Sequence, residues 1–247
     1  MNGLTIGGAL SLSVNGRYAV AVEKTITAMP ETKIGLIPDV GASYFLSRLK
    51  DNLGFYLGLT GERLKGKDVV CAGLATHYVL GRQLPELERQ LPHCKNDSEV
   101  TALLNKYKSP CGEFSLACNI QHIDYCFGAP SVEEIIQRLK KVQNEWSEKT
   151  LKTIHQMCPG SLKMTLLALQ HGTQMNLGEC LKMEYRLTSR AFESHDFPEG
   201  VRALLVDKDN NPKWNPATLA DVTDDYIESF FTKLPQDQEL QIFDAKL

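Results

Sequence analysis

The sequence has no apolar run approaching the roughly 18–20 residues needed to span a bilayer, so a membrane partner is not expected. It has no excess of basic charge. Lys and Arg number 27 against 30 Asp and Glu, a net charge of -3, which leaves no electrostatic footprint for nucleic acid. The one local cluster, Arg138, Lys140 and Lys141, sits at helical spacing beside Glu133 and Glu134 and reads as a solvated helix face. Internal repeats and low-complexity tracts are absent. So are a basic-plus-apolar secretory pattern and an Arg-rich amphipathic presequence, and as written the chain carries no targeting segment.

Cysteine is too sparse and its count too odd, at seven, for a disulfide framework. Reduced thiols in an intracellular setting are the expectation. Cys118, His122 and Cys126 share a helix face at i, i+4 and i+8, but a rise of about 1.5 Å per residue puts the outer pair roughly 12 Å apart. Zinc holds its ligands at about 2.0–2.3 Å, so one ion cannot take all three and no metal is expected. No G-x-S-x-G elbow is present for Ser/His/Asp catalysis. His77 in "LATHYV" and His195 in "SHDFPEG" read as structural hydrogen-bonding groups.

What is there changes character near residue 80. Before it, "GLTI" (3–6) looks like the end of a strand and "GALSLSVNG" (8–16) a short helix stopped by Asn15-Gly16. "YAVAVE" (18–23), "TITAM" (25–29) and "LATHYV" (74–79) are β-rich. "PETKIGLIPDVG" (30–41) is too rich in Pro and Gly for a regular element. A helix follows it with Asp39 as its candidate N-cap, then helices at "NLGFYLGLT" and "GKDVVCAG". Beyond residue 80, apolar residues recur near a 3.6 period in Leu84–Leu91, Glu99–Tyr107, Val132–Gln143, Glu148–Met157, Ser161–Gln170 and Leu177–Phe192. A polar loop, "DKDNNPKWNP", precedes a last amphipathic helix, "DDYIESFFTKL". The division is thus 1–80, an α/β piece, and 81–247, a helical region. Three or four strands with helices mostly on one side leave a parallel sheet uncovered, so residues 1–80 read as the second half of a larger core.

Two features could carry chemistry. Glu31 and Asp39 lie on one loop stiffened by Pro30, Gly35, Pro38 and Gly41, and two carboxyls in one pocket push their pKa values apart into base and acid. On pattern alone, Glu31 can equally be an exposed loop acid and Asp39 only a helix cap. Gly7-Gly8 opens a helix whose N-terminal N–H groups can steady an oxyanion, or simply lets strand and helix pack tightly.

Taken together, "GLTIGGALSLS", "ITAMPETKIGLIPDVGASYFLSRL" and "LTGERLKGKDVVCAGLATHYV" resemble the enoyl-CoA hydratase/isomerase (crotonase) superfamily. The stretch "KMEYRLTSRAFESHDFPEGVRALLVDKDNNPKWNP" resembles its thioester-hydrolase branch. The resemblance runs from Asn2 to about Phe231 and implies an α/β fold, a partial ClpP/crotonase-type spiral core followed by the C-terminal all-helical region. Hydratases of this superfamily carry a glutamate where this sequence has Ser11 and a glycine where it has Asp39; their second glutamate falls on Glu31. The implied activity is therefore hydrolysis of the 3-hydroxyisobutyryl-CoA thioester to 3-hydroxyisobutyrate and CoA, a step of valine breakdown in the mitochondrial matrix.

In that reading Gly8 donates its N–H to the substrate carbonyl oxygen. Glu31 activates water or attacks directly to give a mixed anhydride, and Asp39 orients the 3-hydroxyl or assists proton transfer to the leaving thiolate. No metal or redox cofactor is called for, because the thioester is already activated. The implied partner is a small acyl-CoA, with neither nucleic acid nor membrane, and homo-oligomers are allowed. Family members carry a further segment before this point, so Met1 is not expected to be the start of the working enzyme. The alternatives are a non-catalytic binding or oligomerisation module and a hydratase or isomerase, which Ser11 argues against.

Overall fold

β-Branched residues come in short bursts here, and the strands are correspondingly brief. In the computed structural model, which describes residues 1–242, β1 spans Leu4–Ile6 and passes through Gly7 into α1, Gly8–Val14. As the Asn-Gly signal predicts, α1 stops at Asn15. The runs 18–23 and 25–29 contract to β2, Val20–Ala21, and β3, Ile26–Ala28. Between them Thr25 closes a turn: its N–H reaches Val22 O at 3.0 Å and its hydroxyl accepts Val22 N–H at 2.9 Å.

The Pro/Gly-rich stretch contains one tight 3₁₀ turn, Glu31–Ile34. Then come α2, Ala42–Leu46, α3, Leu53–Thr60, β4, Leu64–Lys65, α4, Asp68–Cys71, and β5, His77–Tyr78. From there the longer regular elements among the described residues are helices: α5, Leu84–Gln90, α6, Asp97–Tyr107, α7, Ile120–Phe127, and α8, Val132–Val142. They continue with α9, Glu145–Ile154, α10, Pro159–Gly172, α11, Leu177–Glu193, α12, Asp196–Val201, and α13, Asp224–Phe231.

Side-chain caps set several of these starts. Asn96 accepts Glu99 N–H, Ser131 accepts Glu134 N–H, and Asn176 with Glu179 forms a reciprocal capping box, each satisfying an N–H the helix cannot. A second box, Asn144 with Ser147, explains why α9 begins at Glu145, ahead of the residue its apolar period marks. The sequence pattern does not show α12. Its Pro198 falls in the first turn, where a missing N–H costs nothing, and a π-type turn, Arg202–Val206, follows it.

β1 pairs with β3 in parallel, Thr5 opposite Thr27, and β3 pairs with β4 antiparallel, Thr27 opposite Leu64. β2 and β5 form a separate parallel pair, Val20 opposite His77. The chain divides into two compact units, one of Met1–Ala28 with Arg63–Cys118, the other of Met29–Glu62 with the residues from Asn119 onward. The units are interleaved in sequence, while residue 80 marks where strands give way to helices.

The first unit buries Val79, Leu87, Leu104 and Tyr107 together. The second is built around Ile37, Met164, Ala168, Met183, Leu187, Val222, Ile227 and Phe230. Each Val, Leu, Ile, Met or Phe among them contributes about 1.5–3 kcal/mol on burial. In this second unit every residue of α3 is buried, as expected of a helix apolar all round.

Candidate active site

The turn that carries Glu31 is clamped from three sides within the second unit. Thr32 is buried, its hydroxyl 3.3 Å from Leu59 O on α3, and its carbonyl accepts Cys158 N–H at 3.0 Å from the start of α10. The third side is α12. A Cβ on Gly200 would lie 2.2 Å from Ile34 O, and one on Gly35 2.3 Å from Asp196 O. Only backbone fits at either contact, so both positions need glycine.

Glu31 is consequently held rather than free: it is 8% exposed. Among the described residues Glu31 Oε2 has no hydrogen-bond partner. Burial pushes its pKa up to about 8, and the negative charge of Asp39 adds to the rise against a lowering contribution from its own backbone N–H. An unsupported carboxyl in an apolar setting keeps its proton into the range where general bases operate.

Asp39 is half-buried. Its pKa is also raised, by burial first, with its backbone N–H and the Thr188 hydroxyl favouring the charged form. The structure therefore brings Glu31 and Asp39 within electrostatic reach of each other, as the shared loop suggests.

Asp39 is not the cap of the helix that follows. The N-cap of α2 is Gly41, in the left-handed region at φ 89°, and Val40 before it is left-handed too at φ 58°. At this reversal the Asp39 carbonyl accepts Ala42 N–H at 3.2 Å.

The cap comes from elsewhere. Glu184, 2% exposed on α11, accepts Gly41 N–H at 2.6 Å, Ser43 N–H at 2.7 Å and the Ser43 hydroxyl at 2.5 Å. Burial raises its pKa to about 7, opposed by those donors and reinforced by the charge of Asp39. Sequence reasoning missed both Glu184 and Thr188. The signal was available: the buried face of α11 is Cys180, Met183, Glu184, Leu187 and Ala191, so Glu184 is an acid on an apolar stripe.

Gly8 belongs to the other compact unit. It is the first residue of α1, where helix N–H groups have no intrahelical acceptor. Its neighbour Gly7 is committed to the sheet edge, donating to Ala28 O at 3.0 Å with φ 57°. Ser11, one turn into α1, is fully buried.

His77 is buried with Nδ1 2.8 Å from the Thr76 hydroxyl. His195 Nδ1 lies 3.1 Å from Asp196 Oδ1. The buried Asp196 also takes Cys158 Sγ–H at 3.1 Å and Asn215 N–H at 2.7 Å. Burial pushes the Cys158 thiol up to about 12, the opposite of what a nucleophile needs.

Residues 1–231 match the family model described as Enoyl-CoA hydratase/isomerase. The chain is 46% identical over 241 residues to the 3-hydroxyisobutyryl-CoA hydrolase, mitochondrial, of Gallus gallus, and 48% identical over 241 residues to that of Xenopus tropicalis. Each alignment covers 95% of this chain, which spans 63% of the relative's length.

Among solved structures, a carnitinyl-CoA dehydratase from Mycobacterium thermoresistibile superposes with a TM-score of 0.90 at 34% identity, covering all of this chain and 69% of that one. An enoyl-CoA hydratase from Rhodobacter sphaeroides gives 0.87 at 32% identity, covering 97% of this chain and 68% of that one. These likenesses bear out the expected fold, a crotonase-type α/β portion with helices after it. The chain belongs to the enoyl-CoA hydratase/isomerase family.

Proposed function

We propose that the chain carries the thioester-cleaving carboxylates of an acyl-CoA hydrolase, acting on 3-hydroxyisobutyryl-CoA and water to give 3-hydroxyisobutyrate and free CoA. The observation that carries this reading is the pairing of Glu31, buried with one oxygen unsupported and its pKa at about 8, with the half-buried Asp39. The names of relatives at 46–48% identity support the substrate. Ser11 supports hydrolysis over hydration, since the first acid of a hydratase pair is missing at that position.

In the reaction the acyl carbonyl carbon gains an oxygen and loses the thiolate. Glu31 must be ionised for this, whether it takes a proton from the attacking water or attacks the carbon itself. Asp39 holds the 3-hydroxyl or relays a proton to the departing sulfur. Gly8, on the family resemblance alone, is assigned the N–H that meets the carbonyl oxygen. Location in the mitochondrial matrix and assembly into homo-oligomers are parts of the same proposal.

Following CoA release with a thiol reagent tests it. Release from 3-hydroxyisobutyryl-CoA should fall at least about 10³-fold in Glu31→Gln, in keeping with loss of a central base or nucleophile. Hydration of crotonyl-CoA without CoA release, or no turnover in the folded chain, would overturn the reading.

A further inference from the structure

We infer that Glu184 is a positioning residue for this site: its carboxylate fixes the Val40–Gly41 reversal and thereby holds the Asp39 side chain against Glu31. The inference rests on the hydrolase reading for its catalytic consequence, but its structural half stands on geometry alone.

The loop has a reason to need an external clamp. Val40 is β-branched and left-handed at φ 58°, a conformation that persists only where surroundings enforce it. The helix that should anchor the loop, α2, has only five residues, and its N-cap is Gly41, which has no side chain with which to cap it. Glu184 supplies all three missing contacts from a helix 141–143 residues further along the chain. Its two oxygens divide the work, Oε2 taking Gly41 N–H and Oε1 taking both Ser43 donors.

The charged or titratable groups coupled to Glu184 are Asp39 on the loop and Cys180 one turn earlier on α11.

A carboxylate is required for this and an amide will not do. Gln offers one acceptor oxygen and turns an NH₂ donor toward an N–H donor, so at least one of the three contacts becomes a clash of like groups.

Amide exchange at Gly41 and Ser43, read by NMR on the full chain, is the direct measurement. In Glu184→Gln it should accelerate about 10–100-fold, the factor expected when a hydrogen bond to a charged group is lost, with protection elsewhere on α10 and α11 retained. CoA release should lose about 10²-fold in kcat, as for misplaced catalytic groups, with KM changed less than about threefold. Adding Asp39→Asn should then cost little more than Asp39→Asn alone, because the two changes break one unit.

Should Glu184→Gln fail to fold, Ser43→Ala removes one donor and should raise Gly41 exchange several-fold. Unchanged exchange in the loop, or losses that multiply in the double variant, would overturn the inference. If the parent chain releases no CoA, the hydrolase reading falls while the exchange data still decide whether Glu184 holds the loop.

Discussion

Replacing Glu31 by Gln should make the protein more tolerant of alkali even as it removes the proposed chemistry. In the fold the Glu31 pKa stands at about 8, against an ordinary 4.5. The folded state therefore binds more protons than the unfolded state between those values, and stability must fall as pH rises through that window. Below about pH 4.5 the group is neutral in both states and contributes its full share. Above about 8 it is charged in both, and the fold bears the whole cost of the buried charge.

A shift of this size corresponds to at most about 5 kcal/mol, and relaxation of the surroundings makes about 2–5 kcal/mol the working range. For a chain of this length each kcal/mol moves Tm by roughly 2–4 °C. Glu31→Gln carries a constant penalty for burying an amide, about 1–3 kcal/mol if that group goes unpaired, but that penalty does not titrate. The informative quantity is the Tm difference between variant and parent across pH. It should move in favour of the variant by about 5–15 °C between pH 5 and pH 9. Asp39 and Glu184 titrate in both proteins and largely cancel. A difference that stays flat over that range would refute the claim that Glu31 is a buried, proton-retaining carboxyl.

Other outcomes follow from the same geometry. CoA release should rise with pH toward a plateau above about 8, because only the ionised Glu31 can act. Asp39→Asn removes a charge that adds to the burial-driven rise of the Glu31 pKa, so the midpoint of that profile, taken from kcat against pH, should move to lower pH even as the rate falls. Gly200→Ala would set a methyl 2.2 Å from the Ile34 carbonyl oxygen. It should cost about 1–3 kcal/mol by denaturant unfolding, as overpacking does, and displace the Glu31 turn, whereas an Ala at Gly16 would meet its nearest neighbour, Ser13 O, at an ordinary 3.4 Å.

Most of the helices were legible because their cores follow a 3.6 period and their starts carry Asn, Ser or Thr caps. Strand extent was not, since a hydrophobic run cannot announce that Thr25 will fold back on Val22. The short helix α12 hid behind Pro198 and Gly200, residues that punctuate most sequences but here allow close packing on the Ile34 carbonyl. Glu31 and Asp39 were legible as a pair because Pro and Gly around them confine the loop. The capping role of Asp39 was misread because its position before a helix fits an N-cap, and nothing local reveals that Val40 and Gly41 are both left-handed. That reversal is decided by Glu184, an acceptor distant in sequence and visible only once α11 is in place.

The three carboxyls also explain one another. Burial opposes ionisation in each of them, so what differs is the support each anion receives. Glu184 has three donors from one chain segment, whereas Glu31 has a backbone N–H while its Oε2 has no partner among the described residues. Asp39 raises the pKa of both of the others, so a negative charge there holds protons on its neighbours. With less support than Glu184, Glu31 keeps its proton to higher pH, about 8 against about 7. In the proposed reaction a carboxyl that takes a proton from water and returns it needs a raised pKa, which burial gives Glu31 first and the charge of Asp39 adds to.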